Sequence, residues 1–199
     1  MDTSTLQPDR YHRGDTGDFR QVDASGNDNA VLGWQGGLVY RNVAASAAQT
    51  STTTEALFDT GQYSIPANTL VAGTVIEVFW QGIATATTNT DTLTVKLYIG
   101  GLSGTVLATG TATDVANNVV FTGQAKIIIR TAGASGTFVA TSWHNKTPAA
   151  SLTAAPVQEI VASTAINTQT AQVVGVGADW STSDVNNSCR LDMFLVKIY

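Results

Sequence analysis

Thiol chemistry is nearly missing from this 199-residue chain, which has one cysteine, Cys189. No intrachain disulfide and no thiolate metal cluster can form. Cys189 reads as a small buried hydrophobe in a strand. Charge is scarce too: Asp, Glu, Lys and Arg make up 13%, about half the usual share. Thr, Ser, Ala, Asn and Gly take their place, a surface that suits packed, multi-copy assemblies. The ten Lys and Arg form no basic stripe and the net charge is −5, so nucleic-acid binding is not expected. Two histidines leave few ways to run acid–base chemistry near neutral pH. No apolar run approaches the ~18 residues of a membrane-spanning helix. The opening MDTSTLQPDR lacks the charged and apolar regions of a secretory leader, so synthesis and folding in a cytoplasm are expected.

What is present divides at about residue 48. Residues 1–48 show no sustained period of 2 or 3.6. Leu6, Tyr11, Phe19 and Val22 stand isolated, and a cluster follows at Val31, Leu32, Trp34, Leu38, Val39 and Tyr40. Spaced apolar anchors in a polar chain predict an extended arm that docks on another surface, since such a segment cannot bury enough area alone to offset its ordering entropy.

Residues 49–199 read as strand after strand. In GTVIEVFWQGIATA, Ile76, Val78 and Trp80 take one face, and Glu77 and Gln81 the other. In TLTVKLYIGG, Leu93, Val95, Leu97 and Ile99 alternate with Thr92, Thr94, Lys96 and Tyr98, and Gly100–Gly101 ends the run. GQAKIIIRTAG sets Ile127 and Ile129 against Lys126 and Arg130. Eight or nine strands with Gly/Asn/Ser turns and no amphipathic helix predict an all-β antiparallel jelly-roll sandwich. KTPAASLTAAPVQEI, residues 146–160, reads as a long surface loop. At the chain's end, Leu191, Met193 and Leu195 are expected to face one way, and Arg190, Asp192, Phe194, Val196 and Ile198 the other.

Chemistry-bearing motifs are weak. Arg13–Asp15 spells RGD, best read as a solvated turn. Asp15, Asp18, Asp23 and Asp28 lack the spacing of a calcium loop, and DASGNDN suits Asx turns. His144 has no G-x-S-x-G nucleophile elbow to serve. Glu55, Glu77 and Glu159 are the glutamates from which a glycosidase pair would be drawn. No catalytic residue, metal or cofactor is assigned. Trp80, Trp143, Trp180, Tyr63 and Tyr98 are aromatic platforms that suit sugar rings, with core packing the commoner use of such residues.

The stretch DTGQYSIPANTLVAGTVIEVFWQGIATATTNTDTLTVKLYIGG resembles the opening half of a jelly roll found in tailed-phage virion proteins. GQAKIIIRTAGASGTFVATSW is similar to the central strand pair of those modules, and ADWSTSDVNNSCRLDMFLVKIY to their closing strand. The resemblance spans roughly residues 52–199. It implies a jelly roll, commonly trimeric, of the kind used in head decoration proteins, head fibres and tail-fibre tips, and it carries over no catalytic or metal residue.

The expected protein is therefore a non-enzymatic virion component, assembled in the host cytoplasm. Its arm, anchored by Leu6, Tyr11, Phe19, Val31, Leu32, Trp34 and Tyr40, would bind the major capsid protein and its own copies as a homotrimer. It would cement the shell by buried area. The alternative is a tail-fibre or baseplate receptor-binding protein whose loops, such as 85–91 and 145–157, contact host glycans. Neither reading calls for nucleic acid or membrane.

Overall fold

A computed structural model describes residues 10–13, 18–22, 28–30, 37–87, 90–112, 115, 117–145 and 157–199. The first three segments form β1 (Arg10–Arg13), β2 (Asp18–Val22) and β3 (Asp28–Ala30), a small antiparallel sheet in the order β1-β2-β3. Two short strands follow, β4 (Leu38–Arg41) and β5 (Gln49–Thr50). Nine longer ones complete the chain: β6 (Ala56–Ile65), β7 (Val75–Thr85), β8 (Leu93–Ile99), β9 (Thr105–Ala112), β10 (Val119–Thr131), β11 (Gly136–His144), β12 (Val157–Ile166), β13 (Gln172–Trp180) and β14 (Ser188–Ile198).

These strands make an antiparallel sandwich. The larger sheet runs β12-β11-β10-β7-β14-β4, with β5 also on β14, and the smaller runs β6-β13-β8-β9. The chain crosses between the sheets several times, among them from the larger to the smaller between β7 and β8 and from the smaller back to the larger between β13 and β14. Because β7 pairs with β14 and β8 with β13, the two crossings lie side by side, which is the wrapping of a jelly roll. The predicted fold class holds, with nine main strands.

Alternation does the sorting. Ile76, Val78 and Trp80 of β7, Leu93, Val95, Leu97 and Ile99 of β8, and Ile127 and Ile129 of β10 are all buried. They meet Phe58, Phe138, Val174, Val176 and Trp180 in one core between the sheets. Each large side chain so buried stabilises by about 1.5–3 kcal/mol. At Gly100 and Gly101, φ is +92° and +73°, a conformation that favours glycine. Both amides donate to the Val173 carbonyl, at 2.8 and 3.0 Å, tying the β8–β9 turn to β13. Cys189 is buried, as its strand context predicts, and burial pushes its thiol up to about 12.

The last strand departs from the expected alternation. Leu191 pairs with Gly82 and Met193 with Gln81, so Asp192 is an extra residue, a β-bulge. The bulge resets the faces. Cys189 and Leu191 point into the core before it, and Phe194 and Val196 after it. Met193 is 36% exposed on the outer face, and Leu195 is half-buried there. The expected grouping of Leu191 with Met193 and Leu195, and of Phe194 and Val196 with Arg190, is therefore incorrect, because one inserted residue inverts a period of two. A Cβ at Gly82 would collide with the Arg190 carbonyl and the Phe121 ring, so the strand facing the bulge must be bare here.

Residues 37–50, at the sequence boundary between arm and domain, lie along this strand. Asn42 donates its side-chain amide to the Asp192 carbonyl (3.1 Å), accepts the Phe194 amide (2.6 Å) and donates its own N–H to the Phe194 carbonyl (3.0 Å). Ser46 donates its N–H to the Leu191 carbonyl (2.8 Å) and accepts the Leu191 N–H on Oγ (2.9 Å). The bulge's orphaned backbone groups thus find partners. Tyr199 and Val75 exchange both backbone bonds, at 2.9 and 3.1 Å, and Ile198 donates to the Gly37 carbonyl at 2.6 Å.

Asn42→Ala leaves the Phe194 amide and Asp192 carbonyl without these partners and should destabilise by about 2–4 kcal/mol, read as a lower urea midpoint at unchanged slope. Deleting residues 196–199 removes the Tyr199–Val75 pair and two of the three β14–β4 pairs, and should leave no cooperative thermal transition. A soluble, cooperatively melting truncation would overturn this account of the strand.

Candidate functional site

Of the seven residues expected to bind a partner, Leu6, Val31, Leu32 and Trp34 lie outside the described residues. Tyr11 and Phe19 sit in β1 and β2, where the backbone pairs Tyr11 with Arg20 and His12 with Phe19. Tyr40 is taken up by the sandwich itself. Its ring stacks on Tyr63 (5.5 Å, 29°) and meets Phe194 edge-on (5.8 Å, 60°), and its hydroxyl donates to the Thr60 carbonyl at 3.1 Å. Gly14 and Asp15 of the RGD, two of the four clustered aspartates (Asp15 and Asp23), and residues 146–156 of the expected loop also fall outside the described residues; its last four residues, Val157–Ile160, are not loop but the start of β12, paired with β11.

The three candidate glutamates are far apart in role. Glu55 lies on the outer face of the smaller sheet and reaches across β13 at Gly177, where a Cβ would come within 3.4 Å of its Oε1. It pairs with Lys96 Nζ at 2.8 Å and accepts the Tyr98 hydroxyl. Burial, then the bond to Glu55, pushes the Tyr98 phenol up to about 12. The same carboxylate's hydrogen bond raises Lys96 against the opposing cost of burial. Asp179, 4.0 Å from Lys96, is raised by desolvation.

Glu159 points inward. Its Oε1 lies 3.3 Å from His144 Nε2, an ion-pair distance without hydrogen-bond alignment, and its Oε2 accepts the Thr109 N–H at 2.9 Å. Ser142 stands beside them, but it is fully buried and its hydroxyl donates to the Leu107 carbonyl at 2.9 Å. This trio therefore braces β11 and β12 against β9, and no nucleophile is presented to solvent. Glu77 lies on the outer face of the larger sheet, paired with Lys126 at 3.0 Å.

That outer face holds a concave site. Register aligns Leu195, Phe79, Gln124, Trp143 and Gln158 in one rung across β14, β7, β10, β11 and β12. The neighbouring rung carries Lys197, Glu77, Lys126, Thr141 and Ile160. On the other side lie Met193, Gln81 and Thr122, with the Asn145 amide donating to the Thr122 carbonyl at 3.1 Å. Two hollows, of about 290 and 250 Å³, lie along these rungs and share Phe79, Gln124 and Trp143. The first adds Thr122, Gly123, His144, Asn145 and Met193, and the second adds Glu77, Ala125 and Lys126. Phe79 and Trp143 are half-buried and Gln124 is exposed. Lys197 Nζ hangs 5.9 Å over the Phe79 ring.

The structure sorts the aromatic platforms. Trp80 and Trp180 are core residues at 3% and 1% exposure, Tyr98 is buried on the outer face of the smaller sheet beneath Glu55, and Tyr63 packs on Tyr40. Trp143 is left on the groove. Phe79 and Gln124 are the lining residues that motif reasoning misses. Their signal is the alternation itself, which sets Phe79 opposite Ile76, Val78 and Trp80.

No protein-family model and no curated protein sequence matches the chain. Among solved structures it is similar to the lectin UEA-II complexed with galactose, at 6% identity over 90% of this chain and 89% of that one, with a TM-score of 0.35. It is similar to the metal-free lectin I-B4 of Griffonia simplicifolia, at 10% identity over 99% and 96%, with a TM-score of 0.37. It is also similar to the VP2 subviral particle of infectious bursal disease virus, at 10% identity over all of this chain and 40% of that one, with a TM-score of 0.25.

Tyr98 and Lys96 both hold their protons more tightly folded than unfolded. The contribution of Tyr98 is complete below about pH 10 and is lost as pH climbs toward about 12, and Lys96 acts in the same direction. Melting temperature should fall across that window, and Tyr98→Phe should flatten the fall. A variant that tracks the parent throughout would rule out the phenol as a cause.

Proposed function

We propose that the chain is a virion structural protein of a tailed phage, a decoration or cement protein that holds the head shell through its N-terminal segment and an oligomeric jelly roll. Its partners are the major capsid protein and further copies of itself in a trimer. The observation that carries this reading is the fixed root of that segment. From Gly37 the chain runs along β14 through β4, Asn42 and Ser46, so whatever the first 36 residues grip is coupled to the core of the sandwich. The sparse charge and the resemblance of residues 52–199 to phage jelly rolls support the same reading.

The root also says where to cut. Removing residues 1–36 spares Gly37 and β4, whereas a longer cut would strip Asn42 from the bulge. The shortened protein should melt as the full chain does and lose its occupancy on purified capsids. Undiminished occupancy would overturn the reading.

The second reading, a receptor-binding module of a tail fibre or baseplate, is favoured by the groove over Phe79 and Trp143. A few copies per particle rather than hundreds would select it.

A further inference from the structure

We infer that the groove on the outer face of the larger sheet binds a neutral oligosaccharide, lying across the strands with one sugar ring on Trp143. The inference gives the second reading its ligand class and its site, and it stands whether the module sits on head or tail.

The occupant follows from what the groove offers and withholds. Phe79 and Trp143 stand two strands apart with Gln124 between them on the same rung, a separation of about 10 Å. Lys197 already lies over Phe79, so Trp143 is the open platform. Aromatic faces suit ligands with an apolar C–H face. The groups between and beside the rings are amides and a hydroxyl: Gln124, Asn145 and Thr122. Amides both donate and accept, which matches hydroxyls that do the same.

Charge does not favour an ionic ligand. The carboxylate of Glu77 is met by Lys126 at 3.0 Å, and Lys197, whose ammonium lies over the Phe79 ring, leaves that end of the groove with about one surplus positive charge rather than a basic patch. A polyanion would have to break this pair and approach a chain of net charge −5. A peptide strand is disfavoured for another reason. The groove crosses β7, β10 and β11, which are interior strands whose backbone groups pair with neighbours on both sides, so no ladder edge is available there. A neutral, hydroxyl-rich, two-faced ligand remains. The two hollows, joined at Phe79, Gln124 and Trp143, provide for more than one ring. The site lies on the sheet face, with Asn145 at its edge.

The test is binding of the full-length protein to an array of neutral hexose and N-acetylhexosamine oligosaccharides, with heparin as the anionic comparison. Neutral glycans should bind and heparin should not. Trp143→Ala and Gln124→Ala should each weaken the best glycan by about tenfold or more. Melting should be unchanged in Gln124→Ala, whose side chain is exposed. If Trp143→Ala does not fold, Gln124→Ala alone carries the test. Absence of neutral-glycan binding, or binding that survives Gln124→Ala undiminished, overturns the inference. Neither result touches the capsid reading, because groove variants retain residues 1–36 and should still occupy capsids.

Discussion

The bulge at Asp192 decides which side chains of β14 enter the core, and it depends on Asn42 and Ser46. Without the extra residue, Phe194 and Val196 would face out and Met193 and Leu195 in. A bulge leaves backbone groups off the ladder, and burying those unpaired is expensive. Asn42 alone answers the Asp192 carbonyl and both backbone groups of Phe194. Ser46 does the same for Leu191. Gly82 supplies the bare backbone that lets the kinked strand approach. The core of the larger sheet, the path of residues 37–50 and the outer position of Met193 at the groove all follow from this local arrangement.

The main strands are legible in the sequence because a period of two is written by burial itself. Ile76, Val78 and Trp80, and the Leu93–Ile99 series, announce their faces without any knowledge of partners. The bulge is not legible. Its cause lies about 150 residues away, in an Asn and a Ser that look like ordinary loop residues. Tyr40 misleads for a related reason: an isolated aromatic in a polar stretch reads as an anchor for a foreign surface, and here the surface is Tyr63 and Phe194 of the same sandwich.

The groove is half legible. Alternation places Phe79, Gln124 and Trp143 on outer faces of three strands, but only the register β7-β10-β11 sets them on one rung. Register comes from pairing, and pairing is a property of the whole sheet. The polar clusters follow the same logic in reverse. Ser142, His144 and Glu159 converge as a hydrolase set would, yet the hydroxyl is spent on the Leu107 carbonyl. Proximity in the fold is therefore not enough to make a nucleophile.

The pairing of β7 with β14 and of β14 with β4 joins segments made early to a segment made late. During synthesis β7 emerges more than a hundred residues before its central neighbour does. Its apolar face, with Ile76, Val78 and Trp80, waits uncovered while the chain grows. Long-range contacts of this kind fold slowly, since loop closure must precede any gain from contact. A chain built this way closes its larger sheet only after residues 188–198 have left the ribosome, and the interval before that is when the nascent strands are most open to wrong partners.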